Sequence, residues 1–138
     1  MADSTLPLIQ ALLGKLKEDS SLTPLLEERV YTALPENVSF PCAQIDIASA
    51  PFETMTSQGM NHEVRIMVFS RAHGAKEALE LRGLMHDALH NGNLSITGFS
   101  MINMRSVGPN RTQLMRDGAT WRSTIRLSIK VSDLIQKH

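Results

Sequence analysis

The sequence predicts an α+β fold in one domain, residues 1–138: a roughly four-stranded, mainly antiparallel sheet with two helices packed on one face, in the order α-β-β-α-β-β. Three observations carry this expectation. Two segments, one near the N-terminus and one mid-chain, repeat their apolar residues at helical spacing. The last segment alternates apolar and polar residues without error, and others upstream alternate well enough to be strands. A chain of 138 residues holds one substantial core and not two, so these elements share it.

The first helix begins after Ser4 or Thr5. Leu6, Ile9, Leu12, Leu13 and Leu16 recur at spacings of three and four, on one face. Pro7 is tolerated in the first turn, where its missing N–H has no helical partner. LKEDSSLTP ends the helix, and Leu22, Leu25 and Leu26 predict one further turn. Arg29, Val30 and Tyr31 form a short extended piece, and Tyr31 is suited to anchor the passage by burying its ring. ALPENVSFP is a turn-rich connection, because each proline disfavours helix in the residue before it, and CAQIDIA alternates as a strand.

Residues 49–61, SAPFETMTSQGMN, have no sustained period and contain Pro51 and Gly59, which predicts a long loop or an extended hairpin tip. Long loops in compact domains are often functional, so Phe52, Glu53, Met55, Gln58 and Met60 are candidate contact residues. HEVRIMVFS, residues 62–70, is a second strand with Val64, Ile66 and Val68 on one side and Met67 and Phe69 on the other, as expected of a strand covered on both faces. A second helix follows. Ala78, Leu81, Met85 and Ala88 make its apolar stripe, Leu84 and Leu89 flank it, and Asn91-Gly92 supplies the stop. Residues 94–107 read as a third strand with a bend or bulge at Gly98, and residues 108–119 as a second long loop. From Trp121 onward, Trp121, Ser123, Ile125, Leu127, Ile129 and Val131 share one face, and Arg122, Thr124, Arg126, Ser128 and Lys130 the other.

Composition narrows the function. An apolar fraction of 42% with 20% charged residues is that of a folded chain and not a disordered one. No run reaches the roughly 18 apolar residues of a membrane span, and MADSTLPLIQ lacks the basic region of an export signal, so an intracellular protein without membrane contact is expected. Cys42 is the single cysteine, which rules out an internal disulfide and predicts a small buried residue. The net charge of zero hides a split: residues 1–90 hold seven Lys/Arg against twelve Asp/Glu, whereas residues 91–138 hold seven against two. A free-standing nucleic-acid binder carries surplus positive charge, because neutralising phosphates supplies most of its affinity.

Candidates for chemistry are few. HDALH puts His86 and His90 four residues apart on one helical face, like a zinc HExxH with Asp87 for Glu, but no spacing nominates His62 or His73 as the third ligand. A histidine near a helix C-terminus is equally explained by the helix dipole. Cys42 has no motif pairing it with a histidine, and the glycines form no phosphate-binding loop. No catalytic, metal-binding or cofactor-binding residues are therefore assigned. The basic stripe Arg122, Arg126 and Lys130, with Arg111 and Arg116 in the loop before it, is a candidate subunit or channel contact, its alternative being a solvated face. Since the other half of the chain is acidic, head-to-tail self-association that closes into a ring follows naturally.

Taken in order, RVYTALPENVSFPCAQI, HEVRIMVFSRAHG, MHDALHNGNLSITG and RDGATWRSTIRLSIKV resemble the tail-completion (tail-terminator) family of long-tailed bacteriophages and gene transfer agents, over residues 6–131. The most telling pieces are RVY…P…P, VFSR.HG and RDG.T. The resemblance implies a virion structural protein without cofactor or catalysis, located at the head-proximal end of the tail. It implies a subunit of a hexameric ring that caps the tail tube, ends its polymerisation and meets the head-side connector or stopper, while DNA passes through without sequence-specific binding. On that reading the loop of Phe52, Glu53, Met55, Gln58 and Met60 faces the tube or the connector. A small α+β adaptor without catalysis and a metal-dependent hydrolase using His86 and His90 are the competing readings.

Overall fold

The computed structural model describes residues 3–55, 58–90 and 94–133. Along the chain lie α1 (Thr5–Glu18), α2 (Thr23–Leu26), β1 (Val30–Tyr31), β2 (Cys42–Glu53), β3 (Gln58–Ser70), α3 (Lys76–His90), β4 (Phe99–Ser106), β5 (Arg111–Leu114) and β6 (Trp121–Asp133). The strands form one sheet in the order β1-β2-β3-β6-β4, with β5 also paired to β6. Among the described residues the β1–β2 pairing is parallel and the others are antiparallel. The class is the expected α+β, with two short strands, β1 and β5, added to the four long ones.

The helices cover one face. α1 packs on β1, β2 and α3, and α3 packs on β3 and β6. Leu8, Leu12 and Leu16 of α1, Leu81, Met85 and Leu89 of α3, and Val64, Ile66, Ile125 and Ile129 of the sheet join in one buried cluster. The α1 stripe is therefore rotated from the expected one: Leu6 is 63% exposed, and Ile9 and Leu13 are only flanking. Both sets fit a spacing of three and four, and packing selected the row of four-residue steps, the ridge that most often interdigitates between helices. Trp121, expected in the core, is only partly buried, because its partner in the ladder is Leu114 of the short edge strand β5. Tyr31 is likewise half-buried.

Of the two readings of residues 49–61, a long loop or an extended hairpin tip, the structure shows the hairpin, and the loop of residues 108–119 contains a short strand. β2 and β3 stay in register from Cys42–Phe69 out to Glu53–Gln58. Phe52 and Glu53 thus belong to β2, Gln58 and Met60 to β3, and of the five loop candidates only Met55 lies between the strands. Gly59 makes this possible. A Cβ there would sit 2.0 Å from the Val131 carbonyl oxygen, so only glycine lets β3 approach β6 so closely. In the second loop, Arg111–Leu114 pairs with Thr124–Trp121 as β5, a piece too short and too polar to show a period. The third strand starts after Gly98 (φ +83°), and its bulge lies between Met101 and Asn103. The Asn91-Gly92 stop lies outside the described residues.

Candidate interaction face

The face of the sheet opposite the helices is uncovered and charged. Cross-strand partners share a face, so the ladder carries Arg65, Arg105, Arg111, Arg122, Arg126 and Lys130 together with Asp46 and Glu63: six cations against two carboxylates. Arg65 and Arg126 stand directly opposite each other in the β3–β6 register. Like charges in that position repel, and Asp46, opposite Arg65 on its other side, offsets the repulsion by pairing with it. Among the described residues no carboxylate lies within ion-pair distance of Arg105, Arg111, Arg122, Arg126 or Lys130.

Of the eight charged residues, Asp46, Glu63, Arg65, Arg111, Arg122 and Arg126 line a groove of about 550 Å³. The loop between β4 and β5 closes one side. Gly108, at φ +74°, turns it over Arg126, where a Cβ would come within 3.1 Å of Nη1. The structure so brings together Arg111, Arg122 and Arg126 of the predicted basic set and adds Arg65 and Arg105. Sequence reading passed over those two, although Arg65 shares the phase of Glu63 and Met67 in an alternating strand. Lys130 sits further along, its ammonium 4.8 Å from the centre of the Phe52 ring, which links the stripe to the β2–β3 arm. Arg116 lies apart, exposed in the turn between β5 and β6.

A joint flanks this face. Arg71 follows β3 and stacks over Phe40, 4.2 Å from the ring centre, while its Nε donates to Thr120 Oγ1 at 3.0 Å. The Asp117 carboxylate accepts from Thr120 Oγ1 and from the backbone N–H of Ala119 and Thr120. Those hydrogen bonds hold its pKa down at about 2. Three separate stretches, SFP, VFSRAHG and RDGAT, therefore meet at one corner through Phe40, Arg71, Asp117 and Thr120. Each is weak as a motif alone. Together they fix the path from the connection before β2, through the end of β3, to the start of β6.

A second tie holds α1. His62 is fully buried on β3, with Nε2 2.8 Å from Ser4 Oγ and Nδ1 2.6 Å from Ser49 Oγ. Ser4 leaves the end of α1 without a side-chain cap in order to make this contact. Burial pushes the His62 pKa down, and the nearby Asp3 carboxylate partly opposes that. Sequence reading weighed His62 only as a third metal ligand; its place among the apolar phase of β3, with Val64 and Ile66, was the signal that it is a core residue.

As for chemistry, His86 is half-buried on α3, with Nδ1 3.9 Å from Asp87 Oδ1. Among the described residues no group of three or more His, Cys, Asp or Glu is placed to hold a metal ion. Cys42 is buried, and desolvation raises its thiol to about pH 11, far from a nucleophilic thiolate. Among the described residues no helix is long and apolar enough to cross a membrane.

What the sheet and its helices define is a small α+β domain with one covered face and one open, charged face. Residues 10–132 match the family described as "Tail completion protein gp17". The chain belongs to that family, and is a structural protein of phage-like virions, not an enzyme. In fold it is similar to a chain in the virion of a native gene transfer agent particle, with a TM-score of 0.80 at 19% identity, covering 89% of this chain and 92% of that one. It is also similar to the bacteriophage SPP1 gp17 protein, with a TM-score of 0.65 at 22% identity, covering 92% and 89%. No curated protein sequence matches.

Proposed function

We propose that the chain is a subunit of a hexameric ring at the head-proximal end of the tail. The ring caps the tail tube, ends its polymerisation and presents a surface to the connector or stopper, and DNA passes through it without sequence-specific binding. The observation that carries this reading is membership of the tail completion family over residues 10–132. The fold likeness to a chain of a gene transfer agent virion supports it. The β2–β3 arm, with Met55 fully exposed between its strands, is suited to reach the tube or the connector, since methionine adapts to irregular surfaces.

Particles assembled without this chain test the proposal by electron microscopy. Tubes of uncontrolled length, or tails that never join heads, are expected; tails of normal length joined to heads overturn it. A finer test addresses the basic face. Arg122→Glu with Arg126→Glu should stop ring closure with the monomer still folded, and assembly should weaken as salt rises, because rim charges are screened beyond about 8 Å at physiological ionic strength. Normal rings that fail only when DNA enters or leaves assign the stripe to the channel instead.

A further inference from the structure

The charge split along the sequence becomes a split across the sheet. At one side lie the end of α1, α2, β1 and the connection to β2; at the other lie β4, β5 and β6. Residues 18–36 carry Glu18, Asp19, Glu27, Glu28 and Glu36 against Arg29, a balance of 1 − 5 = −4. Residues 99–126 carry five arginines against Asp117, a balance of 5 − 1 = +4. The two edges are therefore of opposite sign, the acidic one partly offset by Lys15 and Lys17 in the last turn of α1.

Each edge also exposes a large apolar side chain that its own fold does not cover. Ile102, on the β4 bulge, and Leu114, on β5, are each 47% exposed, and Leu25 of α2 is 39% exposed. Apolar residues ringed by charges are how an interface is built, with packing at the centre and electrostatic selection at the rim. The β1 side has only two residues of strand, so it offers little backbone for extending the sheet, and side chains must make the contact.

We infer that the β4–β5 edge of one copy docks on the α2–β1 edge of the next, with Ile102 and Leu114 against Leu25, Arg105 and Arg111 facing Glu28 and Glu36. This contact is heterologous: the two surfaces differ, and repeating it carries the chain around a ring. The inference rests on the ring reading above and adds which two surfaces meet. Opposite signs on the two edges also penalise head-to-head and tail-to-tail pairing, which a ring has to avoid.

A reciprocal charge swap in assembling particles tests it. One variant carries Glu28→Arg with Glu36→Arg; the other carries Arg105→Glu with Arg111→Glu. Circular dichroism and melting of each purified chain first establish that it folds like the parent; should either not, Glu28→Gln with Glu36→Gln and Arg105→Gln with Arg111→Gln replace the pair, and each is then expected to assemble more weakly than the parent. Each reversal alone sets like charges against each other at these contact positions, and particles with completed tails should fall on the order of tenfold or more. Produced together, the two reversals restore complementary edges in alternation, and completed tails should return. Failure of the mixture to restore them with both chains folded overturns the inference. So does a result in which the basic-edge variant is defective while the acidic-edge variant assembles normally, which assigns the basic edge to the tube, the connector or DNA. Particles lacking the chain are the reference. If they too are normal, the tail-completion reading falls; if they are defective and both edge variants work, only this contact falls.

Discussion

Arg71 and Arg126 differ less in exposure than in company. Arg71 lies over the Phe40 ring, donates to Thr120 Oγ1 and stands 3.8 Å from Asp117, so its partners come from its own chain. Arg126 faces Arg65 across the ladder and has no carboxylate partner among the described residues. A charge with its partners already in place stiffens the molecule. One held opposite a like charge raises the energy of the isolated chain, and a partner surface of opposite sign relieves it. The corner and the open face thus have opposite uses for the same residue type.

Mutations can break this contrast in graded steps. The largest effect belongs to the covered face: Ile125→Ala, one residue from Arg126 but under the helices, should cost about 2–5 kcal/mol in urea unfolding from lost transfer energy and the cavity left. Arg71→Ala comes next. It removes one hydrogen bond and one ring contact, worth about 1–2 kcal/mol together, and its exposed ion pair adds little. Smaller still is a pH effect at His62. Its folded pKa lies below the ordinary 6.5, so the unfolded chain takes up the proton first, and thermal stability should decline as pH falls below about 6.5. In His62→Gln that part of the decline should vanish, which a pair of melting series across pH 5–8 would reveal. The smallest change is Arg126→Ala. Unfolding should shift by no more than about 0.5 kcal/mol, and a large loss would mean that the open face is structural after all.

How far the sequence foretold this follows the physics of each element. The alternation of β6 and the apolar stripe of α3 were legible because each is long and has one covered face, so burial writes a clean period. β5 was not legible: four residues, Arg111–Leu114, owe their strand state to the partner β6 and not to their own pattern. The arm was legible only as an alternative, a long loop or an extended hairpin tip, since Gly59 and Pro51 signal a break locally and the ladder overrides it. Of the basic set, Arg122, Arg126 and Lys130 came straight from alternation, whereas Arg65 and Arg105 joined them only once strand order was known. The motifs RDGAT and VFSRAHG could be recognised in order along the chain. That Arg71, Asp117 and Thr120 form one corner is a fact of three dimensions.

The sheet outruns its helices. β3 and β6 have 13 residues each, which at about 3.3 Å per residue gives about 40 Å. α1 and α3 have 14 and 15, which at about 1.5 Å per residue gives little more than about 20 Å. Beyond His62, residues 58–61 of β3 and 50–53 of β2 project as a cantilever of about 13 Å, with continuous hydrogen-bonded strands as its beam. Its fulcrum is His62, where Ser49 on the beam and Ser4 at the head of α1 grip the same imidazole. The Met55 end of the arm and the head of α1 are thus tied to each other through one buried side chain.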